Sequence, residues 1–297
     1  LLKVSEWADK HRIISSKSAS EAGPWRTERT PYLREIMDVL STDHPAQKVV
    51  FKKGAQVGGT EAGNNWVGYI IDNSPGPLML VLPRIEDAKR NSKLRIEPLI
   101  EESPRLKNKV SAVKSRDSSN TILQKSFDGG AMVLTGANSV AGLKSMPARY
   151  LFLDEVDEYE ADLDGQGDPI SLAMARSRTF GSKRKAFLVS TPTVDGASKI
   201  DSEYQLSDQR TYHVPCPECG HKQKLSFQNL VWEDDNPGDV KYKCAECETL
   251  IPESLKTRML KDGEWVAKYP ERKVVGFHLN SLYSPVGWYS WAEIVSD

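Results

Sequence analysis

Short apolar runs, spaced by longer mixed segments, set the rhythm of this chain. Residues 49–51 (Val-Val-Phe), 78–82 (Leu-Met-Leu-Val-Leu), 150–153 (Tyr-Leu-Phe-Leu) and 186–189 (Ala-Phe-Leu-Val) are continuous apolar stretches of strand length. Runs of this kind, without polar alternation, suit strands covered on both faces in a parallel sheet. The segments around them read as helices: 5–12, 31–40 with Pro31 in first position, 61–71, the charged 86–102, and 169–176. Residues 121–127 alternate and 131–134 are apolar, with Asp128-Gly129-Gly130 between them, which predicts a hairpin. Strands alternating with helices predict an α/β fold with a doubly wound, mainly parallel sheet. The chain has no internal repeat and no low-complexity tract.

The junction after the first strand carries candidate chemistry. Lys53-Gly54-Ala55-Gln56-Val57-Gly58-Gly59-Thr60 lies between the 49–51 strand and the 61–71 helix. Strand, Gly-rich loop and helix form the setting of a phosphate-binding loop. The usual pattern ends in Gly-Lys-Ser/Thr; here Gly58 and Thr60 fit, Gly59 stands in the lysine place, and Lys53 occupies the first position. A loop curled around phosphates lets its first and eighth residues both face them. Lys53 can then neutralise β/γ-phosphate charge, the N–H groups of residues 54–59 can cradle the oxygens, and Thr60 can ligate Mg²⁺. An ordinary Gly-rich turn is the rival reading.

The 150–153 run ends in Asp154-Glu155. At a strand end beside such a loop, Asp154 can hold Mg²⁺ through water and Glu155 can take a proton from the attacking water. Together these motifs predict a P-loop NTPase core of the ASCE type. The 186–189 strand ends in Ser190-Thr191-Pro192-Thr193. Ser190 and Thr191 are candidates to sense the γ-phosphate, against the simpler reading of a polar strand end stopped by proline. Asp162, Asp164 and Asp168 lack the spacing of an EF-hand and read as a solvated loop.

The chain's 297 residues allow one large α/β domain and a small appendage. With 40 Lys+Arg against 41 Asp+Glu the net charge is −1, so any nucleic-acid surface must be a local patch. No run is long and apolar enough to span a bilayer and no signal peptide is evident. A soluble, cytoplasmic protein is therefore expected. The unfinished helical look of residues 288–297 suggests a piece of something longer.

All four cysteines fall into two CxxC pairs, Cys216/Cys219 and Cys244/Cys247, with 24 residues between them (220–243). This spacing predicts two zinc knuckles of a ribbon holding one structural Zn²⁺. Residues 222–227 and 240–243 are its expected strands, and His213 and His221 are bystanders. Two disulfides, or a redox CxxC, are the rival readings; a reducing compartment disfavours the first and the second needs only one pair. The expected division is an N-terminal segment on the adenine side (1–45), the ATPase core (46–210), the zinc ribbon (211–252), and a linker or start of a following region (253–297).

Ser5-Glu6-Trp7-Ala8-Asp9, Gly23-Pro24-Trp25-Arg26-Thr27, the loop with its early lysine, Leu153-Asp154-Glu155, Ser190-Thr191-Pro192 and Cys216-Pro-Glu-Cys219-Gly occur in this order. Gly276-Phe277-His278-Leu279, Tyr283-Ser284-Pro285 and Trp288 follow. On these residues the chain resembles the N-terminal ATPase part of large terminase subunits of tailed bacteriophages, of the lambda (GpA) type. The resemblance covers nearly the whole chain. It implies an ATP- and Mg²⁺-dependent motor that moves double-stranded DNA into a preformed capsid. It also implies a homo-oligomeric ring in the host cytoplasm, with the capsid portal and the small terminase subunit as partners. Such proteins carry a C-terminal endonuclease. No acidic cluster follows Cys247, so that activity is expected only of a full-length protein.

The family often has Arg where this chain has Gln56, which can hydrogen-bond phosphate but brings no charge. It also implies an arginine finger just before the Asp-Glu strand, where Lys144 and Arg149 stand and Arg149 suits phosphate better; an ordinary structural role is the alternative. Trp25 and Tyr32 are adenine candidates, with packing as the rival reading. Arg84, Lys89, Arg90 and Lys93 are candidates for DNA phosphates, against a solvated helix face. Two other functions share these motifs. A helicase-like ATPase would normally bring a second motor pattern, absent after residue 200. A non-enzymatic binding module with a degenerate loop is suggested by Gly59. ATP hydrolysis with and without duplex DNA separates all three.

Overall fold

The computed structural model describes residues 1–111 and 121–297. Apart from a short antiparallel pair, Ile13–Ile14 with Gly23–Pro24, its strands are β1 (Lys48–Lys53), β2 (Leu78–Leu82), β3 (Gln124–Phe127), β4 (Gly130–Gly136), β5 (Tyr150–Asp154), β6 (Lys185–Ser190), β7 (Arg210–Pro215) and β8 (Lys222–Gln223). They continue with β9 (Leu230–Glu233), β10 (Asn236–Lys243), β11 (Leu250–Pro252), β12 (Glu264–Ala267) and β13 (Val275–Leu279). A ten-stranded sheet runs β8-β7-β13-β1-β6-β5-β2-β4-β3, with β12 also on β7. The pairs from β7 through β4 are parallel, and β3, β8 and β12 join antiparallel at the flanks. The expected mainly parallel α/β sheet is what forms.

The four apolar runs are its centre because both faces are covered. Along β1, Val49 and Phe51 point into one core and Val50 into the other; Leu80 and Val81, Phe152 and Leu153, Phe187 and Leu188 divide the same way. Helices α1 (Val4–His11), α2 (Leu33–Val39) and α3 (Gly59–Asn73) close the first face. The helices Pro169–Ala175 and Lys199–Gln205 close the second through Ile170, Ala173, Ile200 and Tyr204. Each such side chain contributes roughly 1.5–3 kcal/mol by leaving water. Among the described residues no helix is long and apolar enough to cross a membrane.

Several elements differ from expectation. The 86–102 helix is interrupted: Ile85–Asn91 passes through a wide π turn, Ser92–Ile96, before Glu97–Glu102. Pro98 cannot donate to a carbonyl one turn back, and widening the preceding turn relieves its ring. Residues 253–297 are not a linker, because β12 and β13 are strands of the central sheet and β13 sits between β7 and β1. The Gly-Phe-His-Leu run of β13 is too short and mixed to announce a central strand.

The ribbon also differs. Its three-stranded sheet is β9-β10-β11, while β8 pairs with β7 rather than with residues 240–243. Residues 224–227 do not extend β8, since side chains take their backbone donors. Leu225 N–H goes to the Tyr283 hydroxyl and Ser226 N–H to the Tyr242 hydroxyl.

Candidate nucleotide site and thiolate cluster

β1 delivers Lys53 to the carboxyl edge of the parallel sheet, where ligands of such folds collect. The chain then turns through Gln56 and Gly58, both left-handed with φ of 56° and 84°, and enters α3. No side chain caps that helix, so its first N–H groups remain available to an anion. A β-carbon on Gly59 would lie 2.5 Å from Lys53 Cδ and 2.8 Å from Cε. The stem of Lys53 thus occupies the space in which a lysine at the usual position would begin. This weakens the case for a degenerate loop, because the ammonium enters the same space from the other end. Lys53 Nζ ends 3.5 Å from Thr191 Oγ1.

Two amides expected in the cradle are engaged elsewhere. Gly54 N–H donates to Leu279 O at 2.7 Å and Ala55 N–H to Ser281 Oγ at 2.9 Å. The expected cradle is therefore cut back to the amides of residues 56–60.

Across the edge, Thr60 Oγ1 donates to Asp154 Oδ2 at 3.2 Å. A hydroxyl and a carboxylate side by side are a donor set suited to a hard cation such as Mg²⁺. Asp154 is buried, and burial raises its carboxyl above the usual range against the opposing pull of Lys53, Thr60 and the Glu155 N–H. Glu155 is exposed and left-handed, with φ of 56°. A glutamate in that region costs on the order of 1–3 kcal/mol, offset in part by its N–H bond to Asp154 Oδ1 at 3.0 Å. Although the side chain reaches solvent, desolvation at its inner side, then the nearby Asp154 and Glu158 charges, raise the Glu155 carboxyl as well, while Lys53 opposes them. A basic-shifted carboxylate at the mouth of a phosphate site suits proton abstraction from water.

Ser190 and Thr191 reach the same edge. Asp157, unmarked in the sequence beyond being one acid among several, holds Ser190 and the turn that follows. Its N–H donates to Ser190 Oγ, and its carboxylate accepts from Thr193 N–H at 2.9 Å and Ile200 N–H at 2.8 Å. Ser281 and Ser284 were also missed as loop contacts. Ser284 Oγ donates to Gln56 O at 2.7 Å. Ser284 lay in the Tyr283-Ser284-Pro285 run that shared in the family resemblance; nothing in the sequence marked Ser281.

Of the two adenine candidates, Trp25 lines a cleft of about 580 Å³ beside the loop, together with Gln56, Gly58, Glu61, Arg95 and Trp288. Tyr32 does not line it; buried, it donates to Val57 O at 2.8 Å and so packs beneath the loop. Arg149 is not brought to the site. It precedes β5, at the opposite end from Asp154, with its guanidinium on Lys183 O at 3.1 Å and over the Tyr150 ring. Lys144 is engaged by Gln166. Arg84, Lys89, Arg90 and Lys93 are exposed; Arg90 and Arg84 stand 3.7 and 4.0 Å from Asp87.

In the ribbon, the sulfurs of Cys216, Cys219, Cys244 and Cys247 all lie within 4.8 Å of one another. Cys216–Cys247 and Cys219–Cys244 are 3.8 Å apart. Four thiolates about 2.3 Å from a central zinc would be separated by about 3.8 Å. The two knuckles repeat one geometry. Gly220 N–H returns to Cys216 O and Glu248 N–H to Cys244 O, both turning residues being left-handed. Cys216 N–H bonds His221 O and Cys244 N–H bonds Thr249 O. Burial works against a Cys244 thiolate, but N–H donors of Cys247 and Glu246 and the Gln223 amide outweigh it and bring the thiol down to about 6. This donor set fits one tetrahedral ion.

A profile of the family described as phage terminase large subunit gpA, ATPase domain, matches residues 19–265. The chain is 27% identical to the terminase large subunit of Escherichia phage lambda over 318 aligned positions, covering 98% of this chain and 48% of that protein. It is 25% identical to the terminase large subunit of Enterobacteria phage P21, covering 100% of this chain and 49% of that one. The chain thus spans about half the length of these relatives. The large terminase ATPase domain of Thermus phage P74-26 superposes with a TM-score of 0.45 and 12% identity, over 86% of this chain and 80% of that one.

Proposed function

Because the chain belongs to the family of phage terminase large subunit gpA ATPase domains, we propose that its sheet edge binds and hydrolyses ATP·Mg²⁺ to drive double-stranded DNA into a procapsid. The observation that carries this reading is the convergence on one edge of Lys53, lying over Gly59, with the Thr60–Asp154 pair and Glu155. In this account Lys53 and the amides of residues 56–60 hold the phosphates, with Gln56 as a neutral donor. Thr60 and Asp154 hold Mg²⁺, which neutralises phosphate charge when bound. Glu155 takes the proton of the attacking water. Thr191, already against Lys53, and Ser190, fixed by Asp157, register the γ-phosphate. Trp25 offers its ring to the base from the cleft. Lys53→Ala should lose turnover on the order of 10²-fold or more with the fold retained. Wild-type turnover in that variant would contradict the assignment.

The cysteine quartet holds one structural Zn²⁺ in this reading. The finger is supplied by a neighbouring subunit of a ring, since Arg149 stands at the far end of β5 in its own chain and Lys144 is engaged by Gln166. An arginine in trans is worth ~10³–10⁵ in rate. ATPase activity should therefore be weak for dilute protein and rise with concentration or with duplex DNA. Arg84, Lys89, Arg90 and Lys93 would meet DNA phosphates, so binding should ignore sequence and fall steeply with salt. Portal, small subunit, a following endonuclease and a place in the host cytoplasm complete the proposal for the whole protein. High turnover by a monomer, stimulated by single strands but not duplex, would favour a helicase-like remodeller instead.

A further inference from the structure

The segment after β13 touches three things at once. Its Ser281 Oγ accepts the Ala55 N–H and its Ser284 Oγ donates to Gln56 O. Contact at Gly54 is so close that a β-carbon there would lie 2.4 Å from Ser281 Oγ and 2.5 Å from Ser281 N. On the other side, Asn280 Nδ2 donates to Leu225 O at 2.8 Å, and the Tyr283 hydroxyl accepts Leu225 N–H at 2.8 Å. That hydroxyl also donates to Tyr212 O in β7. Leu225 is the root of the ribbon: the next amide, Ser226 N–H, and the preceding carbonyl, Lys224 O, both bond the Tyr242 hydroxyl on β10. Tyr242, Tyr283 and Leu225 are buried.

We propose that residues 280–284 form a strap that positions the phosphate loop and ties it to the cysteine ribbon, making nucleotide affinity and ribbon order interdependent. Ser281 and Ser284 are positioning residues in this scheme. They hold the outer half of the loop, residues 54–56, and leave the inner half to face phosphate. The loop cannot shift outward without pressing Gly54 on Ser281. It cannot shift inward without breaking the bond from Ala55. Any movement of the strap is transmitted to both bonds on Leu225 and from there to Tyr242. Linkage then works in both directions: what tightens the loop orders the ribbon, and what loosens the ribbon weakens the nucleotide.

The inference rests on the loop being a nucleotide site, and the test separates the two. Hydrogen exchange of the whole chain is followed with and without ATP·Mg²⁺, alongside the ATP dissociation constant. The account expects ATP to slow exchange at residues 224–243 as well as at 54–60. Tyr283→Phe and Asn280→Ala should each still bind ATP but lose the slowing at 224–243. Ser281→Ala leaves the Ala55 N–H without its partner. It should raise the ATP dissociation constant and KM roughly ten-fold while kcat changes little, a split that general destabilisation does not produce. No ATP binding by the wild-type chain would refute the nucleotide reading itself. ATP binding that protects 54–60 but leaves 224–243 unchanged would overturn the strap and leave that reading standing.

Discussion

The nucleotide edge and the cysteine ribbon achieve opposite kinds of order. The edge assembles Lys53, Asp154, Ser190 and Ser281 from separate strand ends, and two hydrophobic cores hold the strands that carry them. Packing on both faces of the sheet fixes its geometry. The ribbon is made from two local turns, one joining β7 to β8 at the flank of the central sheet and one joining β10 to β11 on a small sheet that exposes Val231 and Leu250. Four thiols within 4.8 Å repel one another as thiolates unless a cation joins them. Removing chemistry from the edge should cost activity and spare the fold; removing it from the ribbon should cost structure.

The largest effect tests the first half of that contrast. Glu155→Gln should bind ATP·Mg²⁺ and hydrolyse it at least ~10²-fold more slowly, whereas Asp154→Asn should lose chiefly the Mg²⁺-dependent part of binding. Equal losses of ATP affinity in both would erase the division of roles. The pH profile sharpens it. A base that must be ionised gives turnover an acid limb, and Glu155→Gln should remove that limb from what activity remains.

Next in size is the ribbon. Metal analysis should find about one zinc per chain, and chelation should speed exchange across residues 216–251 before the strands β1, β2, β5 and β6 respond. A metal-free protein with Cys216–Cys219 and Cys244–Cys247 disulfides would contradict this.

The smallest effect concerns β13, which borders both regions. Burial, then the neighbouring Lys52, push the His278 imidazole down to about 4, Asp201 pulling the other way. The folded state thus disfavours the proton. Its contribution to stability is whole above the unfolded value near 6.5 and is lost as pH falls toward 4. His278→Gln should flatten the drop in Tm across that window. An unchanged drop would mean that other groups govern acid sensitivity.

The contrast also explains what could be read from the chain. The apolar runs, the loop and the CxxC pairs are contiguous, so their pattern survives in one dimension. The central sheet and the cysteine cluster followed from them. Asp157, Ser281 and Ser284 act through contacts with residues far along the chain, and a lone serine carries no period or spacing to mark it. Arg149 was drawn to the site by adjacency to Asp154, yet a strand separates its two ends by about 3.3 Å per residue. β13 was hidden because its Gly and His break the apolar run that marks the other central strands.

The central claim is that Lys53 serves from the first position of the loop, above Gly59. ATP turnover should be compared in the wild-type chain, Lys53→Ala, and Lys53→Ala combined with Gly59→Lys. The account predicts a loss on the order of 10²-fold or more in the single variant and partial recovery in the double, whose new side chain enters the space the old stem vacates. Wild-type turnover in Lys53→Ala would contradict it.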